Sequence, residues 1–282
     1  MIPTPRVPTE GTIERWCFEY ITSTELAAKL SPRPAPDSAD ERAWEVGPEP
    51  LRLTRPGRPP ELCMVAAGES TRLCRDLSTA SARGALFHRF AHHELQAAEL
   101  FAWALLAFAD APRAFRQGLL ALVAEEIAHL HLYLGYLREQ GLAFGAHPLR
   151  DYFWERMLGC TTPQAFVALQ GLGLEGANLD HCLPLARQFR KAGDELGARV
   201  LERIEEDEIG HVAFAKHWFE QFTGAPLTYA AWGAALPEPV TPSVLHGRTL
   251  NREARARAGL DAAFLDALAR APSPHLPRTK SA

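Results

Sequence analysis

The sequence predicts an all-α protein centred on a four-helix bundle, two antiparallel hairpins joined by one crossover. Four stretches of about 25 to 30 residues carry apolar side chains at the period of a helix. Capping and breaking residues pair these stretches, with short turns inside each pair and a longer connection, residues 141 to 161, between the pairs. No stretch shows the period-two alternation that demands a sheet.

A proline-dotted start leads into Thr12 to Leu30, which reads as one or two helices. Residues 31 to 61 hold eight prolines among polar and charged residues, the composition of an irregular segment draped over a surface. The first long helix is expected from about Gly84 to Ala109, stopping at Asp110-Ala111-Pro112. The second has Pro112 near its first turn and ends at about Gln140, before Gly141. A short helix is expected around Asp151 to Leu158. The third long helix takes Thr162 as N-cap and Pro163 at its first position, and Pro184 should kink or break it before about Ala192. The fourth opens on Asp194 after Gly193 and ends near Phe222, before Gly224. A final helix is expected from Leu260 to Ala271. The expected organisation is an N-terminal helix and proline-rich segment over 1–79, the bundle over 80–223, and an extension over 224–282 packed on it.

Hydrophobic residues make up 47% of the 282, enough for a large core, which excludes wholesale disorder. The net charge of −4 gives no electrostatic reason to expect nucleic-acid binding. Cys17, Cys63, Cys74, Cys160 and Cys182 are odd in number and scattered, so neither a disulfide framework nor a thiolate zinc site is suggested. The first residues lack the apolar core of a signal peptide, and the longest apolar run, Leu100 to Ala109, is too short to span a bilayer. A cytoplasmic protein with no membrane partner is the expectation.

The stretch RIEEDEIGHVAF, Arg203 to Phe214, sets four carboxylates and a histidine in a dozen positions. Inside it Glu208 and His211 form a Glu-x-x-His pair, and Glu126 and His129 form another on the second long helix. Positions i and i+3 share a helical face, so each pair can aim its carboxylate and imidazole together. One pair is weak evidence, since 24 Glu and 11 His make about one expected by chance. Placement carries more. Glu126 to Glu208 and His129 to His211 both span 82 residues, as though the hairpins were a repeat. Each first helix offers a further carboxylate: Glu94 lies 32 residues before Glu126, and Glu175 lies 33 before Glu208. Four glutamates and two histidines then converge at one level of the bundle. Four buried carboxylates would repel and take up protons, whereas two divalent cations neutralise them. Oxygen-rich donors with imidazole suit iron or manganese. Glu126 and Glu208 are expected to bridge the metals, with Glu94, Glu175, His129 and His211 terminal.

This motif set resembles the ferritin-like di-iron superfamily of ferritins, rubrerythrins, ribonucleotide reductase small subunits and bacterial multicomponent monooxygenases. More narrowly, HHELQAAEL, EEIAHLHLYL, YFW, LEGANLD and DEIGHVAFAKHWF look like a bacterial ferritin-like family described as a domain of unknown function. That family is distantly similar to the di-iron hydroxylase of modified tRNA adenosine. The resemblance covers about residues 10 to 270 and all six ligand positions match. It implies a ferritin-like bundle and two iron ions, with manganese as the alternative, and leaves the substrate open.

Neighbouring residues are weighed against simpler roles. Glu99 is about 140° around the helix from Glu94 and reads as solvated or interhelical, with metal ligation in place of Glu94 as the minority alternative. Glu205, one turn before Glu208, reads as a surface group or a support to the ligands, with metal contact as the minority alternative. Tyr133 is one turn beyond His129, as a tyrosine is in ribonucleotide reductase small subunits; a redox role competes with that of a core tyrosine. His88, His92, His93 and His131 read as solvent-facing or capping, and Asp180 as a possible orienting partner for a ligand imidazole. Arg248, Arg252, Arg255 and Arg257 read as a solvated helix face, with an RNA-binding patch as the minority alternative. The expected function is an O2-dependent oxidase or oxygenase, hydroxylating or desaturating a small molecule or modified nucleoside, with an external electron donor; a homodimer is compatible. The alternatives are a non-catalytic iron-binding or peroxide-detoxifying protein, and an interaction protein stapled by metal.

Overall fold

A computed structural model of the chain describes residues 6–66 and 76–271. The described residues form helices and irregular connections without a strand; one isolated bridge joins Met64 and Leu149. Two compact units divide the chain, Met1–Leu158 and Gly159–Ala282. The division falls within the connection that the sequence places between its two hairpins. No described helix is long and apolar enough to cross a membrane. No disulfide joins Cys17, Cys63, Cys160 or Cys182, and Cys74 lies outside the described residues.

In the first unit, α1 (Ile13–Thr22) and α2 (Leu26–Leu30) precede the irregular segment, and α3 (Ala80–Ala107) and α4 (Arg113–Glu139) form the long hairpin. Thr12 caps α1 by accepting the Arg15 N–H, and Thr79 caps α3 by accepting the Ala82 N–H. Pro112 stands at the N-cap of α4, and Gly141, at φ 67°, follows its last turn. Helix α5 (Tyr152–Met157) closes the unit. The proline-rich segment is irregular, as its composition predicts, but it is tied down. It buries Trp44, Leu53 and Leu62, and the Leu53 carbonyl accepts Trp103 Nε1 at 2.9 Å.

Glu99 organises this unit. It is interhelical rather than solvated, fully buried and held by three elements. Lys29 Nζ of α2 donates to Oε1 at 2.7 Å, and Trp154 Nε1 of α5 donates to Oε2 at 2.9 Å. Arg58 donates to both oxygens, at 2.6 and 2.8 Å, and reaches Asp151. Burial alone would raise the Glu99 pKa, but Arg58 and Lys29 hold it below the ordinary carboxylate range. Gly57 delivers Arg58 to this place. A Cβ there would lie 2.2 Å from the Thr22 carbonyl oxygen, so only glycine lets the segment lie against the end of α1.

His88 and His92, read from the sequence as solvent-facing or capping, are buried. His88 Nε2 accepts the Gly145 N–H at 2.8 Å, and burial lowers its pKa to about 4. His92 Nε2 lies 3.3 Å from Asp151 Oδ1. The Gly145 turn and the start of α5 fold back over α3, a return that helical periodicity does not reveal. His93 is half-buried with its ring 4.7 Å from that of Phe153, and His131 is exposed.

In the second unit, α6 (Pro163–Leu169) opens on Thr162, which accepts the Ala165 N–H, with Pro163 at its first position. It passes through a π-helical turn, Gln170–Glu175, into α7 (Gly176–Lys191). Pro184 lies inside α7 and does not break it. Asp194 caps α8 (Glu195–Thr223), which ends on Gly224 in the left-handed region, φ 65°. Then follow α9 (Tyr229–Ala235), α10 (Arg252–Arg257) and α11 (Ala262–Arg270). Trp232 of α9 is fully buried, donates to the Ala168 carbonyl at 2.8 Å and packs 5.5 Å from the Phe264 ring of α11.

Glu99→Gln should destabilise the first unit by about 3 to 5 kcal/mol, because it leaves Lys29 and Arg58 buried beside a neutral amide. The sign of the acid dependence follows from the lowered carboxylates. Asp151 is drawn down to about 2: burial opposes this, and His92 and Arg58 outweigh it. The stability owed to Asp151 and Glu99 is present above the ordinary carboxylate range and is lost as pH falls through their lowered values. Urea titrations from pH 6 downward should show a smaller acid-side loss in the variant than in the wild type.

Candidate metal centre

Each unit gathers two carboxylates and an imidazole at the middle of its long hairpin. In the first unit, Glu94 comes from α3, and Glu126 and His129 come from successive turns of α4. One ligand atom from each lies within 4.8 Å of the others. His129 Nδ1 is 3.7 Å from Glu126 Oε2 and 3.9 Å from Glu94 Oε2. All three residues are buried. In the second unit, Glu175 ends the π turn, and Glu208 and His211 lie on α8. These too offer ligand atoms within 4.8 Å of one another, and all are buried. His211 Nδ1 lies 3.0 Å from Glu208 Oε2.

The second triad has amides around it that the sequence did not single out. Asn178 Nδ2 donates to Glu208 Oε1 at 3.0 Å and to Glu175 Oε2 at 3.3 Å. Gln170 Nε2 donates to Glu175 Oε1, and Gln170 is fully buried. Asn178 was accessible to sequence reasoning, being three residues beyond Glu175 on the same face. Gln170 was not, because five residues carry an α-helix well off that face. The π turn, with its five-residue hydrogen bond from Gly176 N–H to Gly171 O, changes that relation. The turn also packs unusually close to α8: a Cβ on Gly171 would lie 2.3 Å from the Ala215 Cβ. Such π turns are rare and gather at functional sites.

The donor chemistry fits a divalent cation. Each triad supplies hard carboxylate oxygens and one imidazole, the set that suits iron or manganese. Glu99 is not part of either triad, and its partners are the cations described above. Tyr133 lies one turn beyond His129 and is buried, its ring edge-on to Phe87 at 4.8 Å and 5.8 Å from Phe90. Those contacts place it in an aromatic cluster.

Apart from Glu205, the rest of the charged run on α8 turns outward. Arg203 bonds Asp207 at 2.7 Å, and Arg257 pairs with Glu206; these residues lie at or near the surface. Glu205 faces inward, accepting from Asn251 Nδ2 at 2.8 Å, and burial and then Glu206 raise its pKa. Asp180 accepts from Arg255 and from the Gly247 and Asn251 N–H groups. Arg255 is accordingly fully buried, a departure from the solvated face expected for it. It sits one position after buried Ala254, and its charge is met by Asp180. Arg248, Arg252 and Arg257 are exposed.

Comparison with known proteins gives a family and one curated relative. A family model described as "Protein of unknown function (DUF455)" matches residues 17–266. An uncharacterized protein of Haemophilus influenzae is 29% identical over 154 residues, 51% of this chain and 53% of the relative. The chain thus spans about half the length of the curated relative it matches. No solved structure matches.

Gly171→Ala should cost about 1 to 3 kcal/mol by overpacking against α8. Ala215→Gly in the same chain should recover most of that loss, measured by thermal unfolding of the single and double variants. Simple additivity of the two substitutions would show that the close approach is not what selects glycine.

Proposed function

The chain belongs to the DUF455 family, and on that premise we propose that it is a ferritin-like dimetal carboxylate protein that oxidises an organic substrate with O2. The observation that carries the proposal is the pair of buried triads, each with two carboxylates and an imidazole. Their even spacing in the sequence, 82 residues between equivalent members of the Glu-x-x-His pairs, supports a repeated hairpin in a ferritin-like bundle. Glu94, Glu126 and His129 would hold one ion, and Glu175, Glu208 and His211 the other. Two divalent cations balance four carboxylate charges, and iron is favoured over manganese for oxygen chemistry.

When bound, the metals supply electrons to O2 and the oxidising power for hydroxylation or desaturation. The chain's own groups do the rest. Asn178 and Gln170 donate to the carboxylates and fix their orientation before any ion arrives. Glu205, one turn from Glu208 and with its pKa raised, holds a proton at its carboxyl to higher pH than a surface glutamate. The proposed substrate is a small molecule or modified nucleoside, reduction of the metals falls to an external donor, and the setting is cytoplasmic. Tyr133 is kept as a redox candidate, which Tyr133→Phe tests through a change in the kinetics of reoxidation at equal metal content.

Anaerobic reconstitution with Fe(II) should load about two ions per chain. Exposure to O2 should then produce a ligand-to-metal charge-transfer band that requires both His129 and His211. A folded chain that takes up neither iron nor manganese sinks the proposal; one that binds Fe(II) and stays inert to O2 for hours is a storage or stapling protein.

Glu208→Ala should lose one or both ions while the metal-free chain unfolds at a temperature no lower than the metal-free wild type. Removing one of several crowded carboxylates relieves repulsion as it removes a ligand. A large drop in the metal-free melting temperature would assign Glu208 a structural role instead.

A further inference from the structure

The second triad stands on a turn that the C-terminal extension grips from both sides. Glu175 is the last residue of the π turn. On one side of it, a Cβ at Gly173 would lie 2.8 Å from Leu245 Cδ1. On the other, the Gly176 carbonyl accepts Arg255 Nη2 at 2.7 Å. A Cβ at Gly176 would lie 3.3 Å from Arg255 Nη1, so the glycine keeps room for the guanidinium. Arg255 also makes a two-pronged contact with Asp180 of α7, Nε to Oδ1 at 3.0 Å and Nη2 to Oδ2 at 2.8 Å. Both side chains are buried. The same short stretch reaches α8. Asn251 donates its N–H to Asp180 at 2.8 Å and its side-chain amide to Glu205, one turn before Glu208, at 2.8 Å. Asp180 further accepts the Gly247 N–H at 2.9 Å.

We propose that Arg255 is a positioning residue for the second triad, fixing the turn that carries Glu175, with Asn251 tying that turn to the Glu208 turn of α8. This rests on the metal-binding proposal above and goes beyond it, because it assigns metal affinity to a segment outside the ligand helices. A buried ion pair alone would explain Arg255 with Asp180. It does not explain why the third bond goes to the carbonyl next to a ligand. Nor does it explain why Asn251 joins the same clamp to α8. Arginine suits the role because its planar fork holds a carboxylate and a carbonyl at once. A lysine keeps the charge opposite Asp180 but cannot hold both oxygens of Asp180 and the Gly176 carbonyl in that plane.

The test uses the full chain and compares Arg255→Lys and Asn251→Ala with Leu268→Ala, a buried core substitution in α11 whose side chain makes none of the clamp's hydrogen bonds. Fe(II) affinity is measured anaerobically, the Co(II) absorption spectrum reports ligand geometry, and melting temperature of the metal-free protein reports stability. Arg255→Lys should weaken one of the two ions by about 10- to 100-fold, the usual effect of losing a support to a ligand, and shift that ion's Co(II) bands. Asn251→Ala should act in the same direction more weakly. Leu268→Ala should lower the metal-free melting temperature and leave affinity and spectrum as in the wild type. Wild-type affinity and spectrum in Arg255→Lys overturn the proposal, as does an equal loss of affinity in Leu268→Ala. Should Arg255→Lys fail to fold, Asn251→Ala decides, and wild-type affinity there is the negative result. A wild-type chain that binds no metal overturns both this inference and the metal centre; one that binds two ions regardless of Arg255 overturns this inference alone.

Discussion

Burying a carboxylate is expensive, and this chain does it repeatedly. Much of the architecture is the means by which those charges are met. Glu99 is met by Lys29 and Arg58, brought in by α2 and by the proline-rich segment. Asp180 is met by Arg255, brought in by α10. The segments outside the two long hairpins therefore act as internal counterions as well as covering. At the two triads the groups brought to the carboxylates are of another kind, imidazoles and, in the second unit, amides. Imidazoles and amides orient a carboxylate without permanently cancelling it, which leaves its charge for a cation.

The contrast between Glu94 and Glu99 shows how closely spaced residues on one helix part company. Five positions separate them on α3, and both are buried. Glu94 joins an imidazole and a second glutamate, while Glu99 joins an ammonium, a guanidinium and an indole. A cation fixed by covalent attachment makes a structural site. The Glu94 cluster, by comparison, has the composition of a ligand set.

The helices and the triads were legible because both are written in spacing. Thr162, Pro163, Asp194 and Gly224 do at helix ends what their residue types predict. The i, i+3 pairs and the long intervals between Glu94, Glu126, Glu175 and Glu208 pointed to groups that the fold gathers within each unit. What escaped was contact made across long stretches of chain. Nothing local marks Lys29, Arg58 or Arg255 as inward-facing, because each is a cation whose carboxylate partner lies 70, 41 or 75 positions away. The burial of His88 and His92 escaped for the same reason, their cover coming from residues near 145 and 151. The π turn escaped because its glycines read as weak helix residues. The approach of Ala215 to Gly171 and of Leu245 to Gly173 shows why a Cβ would not fit at either.

Two of the buried carboxylates meet their cations in opposite chain order. Lys29 and Arg58 precede Glu99, whereas Arg255 follows Asp180 by 75 residues. On a ribosome the chain emerges from its N-terminus, and folding proceeds as segments become available. Glu99 has both of its cations already made when it appears, so α3 can bury that charge as soon as the hairpin closes, although Glu14 of the same unit waits for Arg116. The second unit must keep Asp180 wet until α10 has been made. Its core closes late, and until then the turn bearing Glu175 lacks the extension that grips it.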